Sequence, residues 1–269
     1  MCRKTSILKS MIAVALVGTT LWGCKKPEVD SDTQSAKDNA IAEFVCEDAL
    51  NIVDNDAKST AGINKMAPAP NNTSSFSCAN TTIDTANRTI TWDFGTSGCT
   101  SNDGRLRRGK IKAQFSDYYS TQSCVTTITF IDYYINTNRL DGTIKVTTGN
   151  NVLTVEIIDG VVTTSSGKTV KWSATVTRAL YAENTATPTD NVYSITGGGT
   201  GVNINGVSYT TKITSPLLID LGCDYRLTQG TVEITPADKP TRTLDFGSGN
   251  CDTEATVTIN GNVWKFNLE

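Results

Sequence analysis

The feature that most constrains this chain is a period-two alternation running from about Thr89 to the C-terminus. Ile90, Trp92 and Phe94 alternate with Thr89, Thr91 and Asp93, and Leu153, Val155 and Ile157 repeat the habit. So do Val170, Trp172, Ala174 and Val176, then Val207, Tyr209 and Ile213, then Val257 and Ile259, then Trp264, Phe266 and Leu268. Successive strand side chains point to opposite faces, so this pattern writes sheets with one apolar and one polar side. Thr, 43 of the 269 residues, supplies much of the polar side, and β-branched side chains suit a pleated surface. Asp141-Gly142, Asp159-Gly160, Ser166-Gly167, Asn205-Gly206 and Asn260-Gly261 fall between the runs and read as hairpin turns, since such pairs supply positive φ. About eleven or twelve strands with no helices between them mean antiparallel hairpins, not βαβ units. The fold class is therefore all-β, a hairpin meander forming a sandwich or partial barrel, with one N-terminal amphipathic helix.

That helix is expected over residues 36–60. Ile41, Phe44, Val45, Ala49, Ile52 and Val53 form one stripe at helical spacing, flanked by Glu43, Glu47, Asp48 and Asp54, so the apolar face should lie on the sheet. Pro68, Pro70, Asn71 and Asn72 then mark a loop, and residues 72–269 form the β domain. An Asp-Phe-Gly…Cys layout near both ends leaves open a half-domain boundary at 181–190.

Residues 1–23 read as a targeting segment. Arg3, Lys4 and Lys9 precede an apolar run from Ile12 to Leu21 that is too short to span a bilayer. It closes Leu21-Trp22-Gly23-Cys24, which resembles the lipobox of bacterial lipoproteins, with Trp22 where a small residue is usual. The resemblance implies cleavage before Cys24 and acylation of its thiol and amino group. Residues 24–35, with Lys25-Lys26-Pro27-Glu28-Val29-Asp30-Ser31-Asp32, read as a tether and look like the surface-export tether of Bacteroidota lipoproteins. The implied address is the outer membrane, lipid-anchored, on its periplasmic or cell-surface face. Without residues 1–23 the chain keeps 21 basic against 27 acidic residues. A mildly acidic body argues against nucleic acid as a partner.

In an oxidising compartment the six cysteines after Cys24 read first as disulfides, with fifteen connectivities open. Cys78 precedes a strand–turn–strand ending Asp93-Phe94-Gly95-Thr96-Ser97-Gly98-Cys99, and Cys223 precedes one ending Asp245-Phe246-Gly247-Ser248-Gly249-Asn250-Cys251. The repeated layout suggests Cys78–Cys99 and Cys223–Cys251; Cys46–Cys124 is left by elimination.

The chain contains no His, which excludes Ser-His-Asp and Cys-His catalysis and His-ligated zinc. No metal site, cofactor or catalytic constellation is expected. Asp54-Asn55-Asp56 starts like a calcium loop but has Lys58 at a ligand position. Gly167-Lys168-Thr169 has Val162 where a P-loop needs its first glycine. Gly197-Gly198-Gly199-Thr200-Gly201 is followed by no helix and reads as a bulge or strand end. Asp93 and Asp245 read as turn acceptors; only as an acid–base pair on a glycoside would they carry chemistry. Arg105, Arg107, Arg108 and Lys110 read as a solvated strand end or an anion site. In the pairs Tyr118-Tyr119 and Tyr133-Tyr134 one ring should point in and the other out. Two outward rings on neighbouring strands would make a stacking platform for a glycan or a partner protein.

Thr89-Ile90-Thr91-Trp92-Asp93-Phe94-Gly95…Cys99 with Asp103-Gly104-Arg105-Leu106-Arg107-Arg108-Gly109-Lys110-Ile111 is similar to a pattern recurring in Bacteroidota lipoproteins. Ile213-Thr214-Ser215-Pro216-Leu217…Cys223 and Asp245-Phe246-Gly247-Ser248-Gly249-Asn250-Cys251-Asp252 fit the same pattern. It implies an address and a fold, with no established activity. Asp84-Thr85-Ala86 likewise resembles the O-glycosylation acceptor of Bacteroidota. The expected role is a membrane-anchored, non-catalytic binding scaffold for a glycan or partner protein. The alternatives are a structural subunit of an outer-membrane assembly and a carboxylate-dependent hydrolase.

Overall fold

The computed structural model describes residues 29–58, 78–119, 121–149, 152–183, 191–224 and 226–268. Cys24, the signal segment, residues 25–28 of the tether, residues 59–77 (where a loop is expected) and residues 184–190 lie outside the described residues. The helix α1 is Gln34–Lys58. The strands are β1 Asn80–Asp84, β2 Thr89–Asp93, β3 Cys99–Thr100, β4 Leu106–Phe115, β5 Val125–Ile135, β6 Asn138–Thr148 and β7 Val152–Thr163. They continue with β8 Thr169–Ala182, β9 Val192–Val202, β10 Ser208–Asp220, β11 Arg226–Pro236, β12 Arg242–Ser248, β13 Glu254–Ile259 and β14 Asn262–Asn267. All fourteen belong to one open antiparallel sheet, ordered β1-β2-β4-β5 and onward to β14, with β3 pairing on β4. The meander is thus as expected. It forms one open sheet, with a single helix near the N-terminus. β8 and β9, on either side of the 181–190 span, pair from Lys171↔Val202 to Ala182↔Val192 and belong to the same sheet.

The sheet curls because its strands carry bulges at matching heights. Register shifts fall between Arg108 and Lys110 on β4, Thr129 and Tyr133 on β5, Asp141 and Thr143 on β6, and Ile157 and Gly160 on β7. Gly109, Asp132, Gly142 and Asp159 hold positive φ of 78°, 45°, 112° and 50° there. Each extra residue bends its strand and adds twist. Asp141-Gly142 and Asp159-Gly160 are therefore bulges inside β6 and β7, a correction to their reading as turns. Ser166-Gly167, Asn205-Gly206 and Asn260-Gly261 do occupy hairpin tips.

The curled sheet wraps α1. Ala36, Ala40, Ala42, Ala49 and Ala57 are buried, and these small side chains make the helix slim enough to sit inside. Ile90 and Trp92, Ile111 and Ala113, Ile144 and Val146, Val232 and Ile234, and Val257 and Ile259 meet it from the sheet. Lys112, Thr129, Lys145, Thr175, Thr210 and Glu233 face outward in the same alternation. No helix among the described residues is long and apolar enough to cross a membrane.

Enclosure also changes the fate of the acidic flank. Glu47, Asp48, Asp54 and Asp56 are buried, not set beside an apolar face that simply rests on a sheet. Arg107 donates through Nε to Asp48 Oδ2 at 3.0 Å, and Tyr133 Oη donates to the same oxygen at 2.9 Å. Arg178 reaches Glu47 at 3.4 Å and Asn51 Oδ1 at 2.7 Å. Tyr119 Oη donates to Asp54 at 2.6 Å, and Trp92 Nε1 to Asp56 at 2.5 Å. Charges withdrawn from water are tolerated only when paired and hydrogen-bonded.

Candidate functional site

Two places on Ser31–Glu269, a single unit, offer room for a ligand. The first is a shallow concavity of about 630 Å³ across β7–β11. Lys171, Ser173, Thr200, Ser208, Thr210 and Thr235 turn exposed side chains into it, with Asp159, Val161 and Val202 on its wall. Of the β9 glycines, Gly201 lines it, and the glycine run just before it packs tightly between its neighbours. A Cβ at Gly197, Gly198 or Gly199 would lie 2.4, 2.3 or 2.4 Å from a carbonyl oxygen of Thr175, Thr211 or Ser173. Only glycine lets the flanking backbones approach so closely. The run lies within a stretch of β9 that keeps regular register with β8. Beneath it, Trp172 and Tyr209 flank Gly201 in register and their rings are buried.

The second place is a seam. Among the described residues β14 pairs with β13 on one side only. Between β14 and the β5–β6 turn at Asn136, Thr137 and Asn138 lies a slot of about 360 Å³. Its floor is α1 itself, through Lys37, Ile41 and Phe44, with Phe266 and Leu268 on the β14 wall. Ile41 and Phe44 are half-buried and Lys37 is exposed, so the apolar stripe read from sequence ends at the least covered part of the helix. The Lys37 ammonium stands 5.7 Å from the Phe266 ring centroid, and no acidic side chain lines the slot.

No known protein family, no curated protein and no solved structure matches this chain.

The sequence candidates fall as follows. Cys78–Cys99 and Cys223–Cys251 are disulfides, with Cα–Cα distances of 5.8 and 5.2 Å. Cys46 and Cys124 are both buried free thiols, so the pair reached by elimination is not made. Tyr119, five residues before Cys124, bonds Asp54, whereas Cys46 lies eight residues back along α1, about 12 Å by helical rise. Burial pushes the Cys46 thiol well above its ordinary pKa, and Glu47 and Glu43 add to the shift.

Tyr119 and Tyr133 are buried and Tyr118 and Tyr134 less so; alternation accounts for the second pair on β5, whereas the first pair lies between β4 and β5. Tyr118 and Tyr134 form no platform, however. Tyr118 precedes β5 and Tyr134 nearly ends it, about 30 Å away along an extended strand. The Arg108 guanidinium covers Tyr134 at 3.6 Å from the ring centroid.

Half of the basic cluster departs from the solvated strand end expected of it, while Arg108 and Lys110 do lie at the surface. Arg105 and Arg107 are buried and face Asp48 and Asp103, and Lys110 pairs with Asp93 at 2.8 Å. Burial alone would lower the Arg107 pKa, but Asp48 and Asp103 hold it above the ordinary value.

Asp93 Oδ1 accepts from Gly95 N at 2.9 Å and Asp245 Oδ1 from Gly247 N at 2.8 Å, the turn role expected of both. The Lys110 bond holds the Asp93 carboxyl below the usual range. Neither aspartate lines the concavity or the seam. Asp84 closes the β1–β2 turn by accepting from Asn87 N at 3.0 Å, which puts Thr85 at that hairpin tip.

Sequence reasoning missed both cavities. The glycine run was the available signal for the first. For the second, nothing in the periodicity tells which flank of α1 the sheet leaves open.

Proposed function

We propose that this chain is a lipid-anchored, non-catalytic scaffold of the bacterial envelope that binds a polyhydroxylated ligand of the glycan class in the β7–β11 concavity. The carrying observation is that cavity: five hydroxyl side chains (Ser173, Thr200, Ser208, Thr210, Thr235) with Lys171 and Asp159 around about 630 Å³. Cavities with a few convergent polar groups are where ligands bind by default, and hydroxyl, ammonium and carboxylate groups match sugar hydroxyls as donors and acceptors. The wall is a paired sheet, so little ordering of the protein opposes binding. The anchor rests on the resemblance around Cys24; several acyl chains would hold the protein stably on a bilayer.

A glycan array probed with the full chain tests the reading. Selective binding lost in Thr200→Arg and Ser173→Trp, which fill the concavity from outside the core, supports it; no binding to any glycan sinks it. For the anchor, Cys24→Ala should abolish incorporation of labelled fatty acid and release the protein from membranes.

A second reading, an accessory subunit of an outer-membrane assembly, is favoured by one specific observation: the open seam beside an unpaired strand edge.

A further inference from the structure

We propose that the seam is a strand-accepting site: an extended segment of a partner polypeptide, apolar on one side and bearing a carboxylate, adds to the free edge of β14 and lies over α1. It requires the scaffold reading but not glycan binding in the concavity, which lies on other strands.

Three observations on the chain converge. The first is hydrogen bonding. β14 is paired to β13 from Glu254↔Asn267 to Ile259↔Asn262, and among the described residues no strand lies on its other side. An unpaired edge is a template for one more strand. The second is apolar surface. The slot beside that edge is floored by half-buried Ile41 and Phe44 and walled by Phe266 and Leu268. Alternate side chains of an added strand would turn into it, as Trp264 and Phe266 of β14 turn toward the core. The third is charge. Lys37 is the one ionisable residue of the lining; Asn136, Asn138 and Asn267 complete its polar part with amide groups. Among the described residues Lys37 forms no ion pair, and the Phe266 ring stands beside it. The described lining carries one positive charge and no acid, so a carboxylate on the occupant is the complement and an ammonium is not.

The probe is a short synthetic peptide of alternating Val and Thr with one central Asp, titrated into the full chain in detergent. Controls replace Asp by Lys or N-methylate alternate backbone amides. The Asp peptide is expected to bind, the Lys peptide about tenfold more weakly, and the N-methylated one not at all. Lys37 is exposed, so Lys37→Glu should fold normally and reverse the Asp-over-Lys preference. Phe44→Glu should abolish binding, and folding of that variant is checked by circular dichroism. Amide exchange gives an independent readout, with new protection of residues 262–267 only when the Asp peptide is present. Indifference to N-methylation or no reversal by Lys37→Glu overturns the proposal. So does β14 protection in the free monomer, which means that the chain's own segment fills the seam. Protection that rises with protein concentration alone also overturns it, because the occupant is then a second copy. Loss of glycan binding with peptide binding intact would refute the concavity and leave the seam standing.

Discussion

Two stretches of α1 are held by opposite means. Along its second half, Asp48 meets Arg107 and Tyr133, Glu47 meets Arg178, and Asp54 meets Tyr119, all out of water. Nearer its start, Lys37, Ile41 and Phe44 face a slot across which no strand lies among the described residues. By composition the assignment should be reversed, with charges toward water and apolar residues inside. The difference teaches that the extent of the wrap, more than the polarity of each side chain, sorts the faces of this helix. A charged face can be interior where the enclosing strands bring arginine and tyrosine to it.

The comparison breaks most severely at Asp48. Asp48→Ala removes the shared acceptor of Arg107 and Tyr133 and should cost about 3–5 kcal/mol, read as a fall in the urea midpoint. Asp48→Leu with Arg107→Met should recover much of that loss. A cost under about 1 kcal/mol for the single change would mean that the buried flank is not held by this pair.

Next is the bulge that aims Arg107. Gly109 has φ +78°, and a Cβ there would lie 1.9 Å from the Asp132 carbonyl oxygen. Gly109→Ala should cost about 2–4 kcal/mol. Gly167, at a hairpin tip with φ +77° and nothing within 4 Å, should cost only about 1 kcal/mol on the same change. Equal costs would show that the bend carries no packing constraint.

Glu43, half-buried on the same helix, sharpens the contrast. No described residue pairs with it, and burial, with Glu47 second, raises its carboxyl to about 7. The folded state then holds this proton more tightly than the unfolded chain. The group's contribution is therefore fully present below about pH 4.5 and is lost as pH rises to about 7. Glu43→Gln should flatten that part of the stability profile and raise stability at pH 8, by at most about 3 kcal/mol. An unchanged slope between pH 4.5 and 7 would refute the assignment.

The smallest effect belongs to the seam. Phe44 is half-buried, so Phe44→Ala should cost only about 1 kcal/mol of stability. It should nevertheless remove peptide binding at β14. A cost near that of Asp48→Ala would mean that the seam is closed in solution.

Much of the fold was legible because its signals are local. Alternation at Ile90-Thr91-Trp92 sets inside and outside with no knowledge of neighbours, and the repeated Asp-Phe-Gly…Cys layout marked two disulfides because each closes one short stretch of sheet. Elimination failed for Cys46 and Cys124, since nothing local says that one sits in mid-helix and the other beside its far end. Asp141-Gly142 and Asn205-Gly206 look alike because a bulge and a tight turn both need positive φ. Only the pairing of strands on either side tells them apart. Arg107 was read as surface for a similar reason: its partner Asp48 stands 59 residues away.

By itself the sequence determined the strand alternation, the meander, the helix, the turn aspartates and the two disulfides, because periodicity, turn chemistry and short loops act over a few residues. Tertiary structure alone decided that the sheet closes around α1, that acids on that helix meet arginines from distant strands, and that a seam stays open beside β14. Those outcomes depend on bulges summing their bends over many strands, and a sum over the whole sheet is written in no single segment.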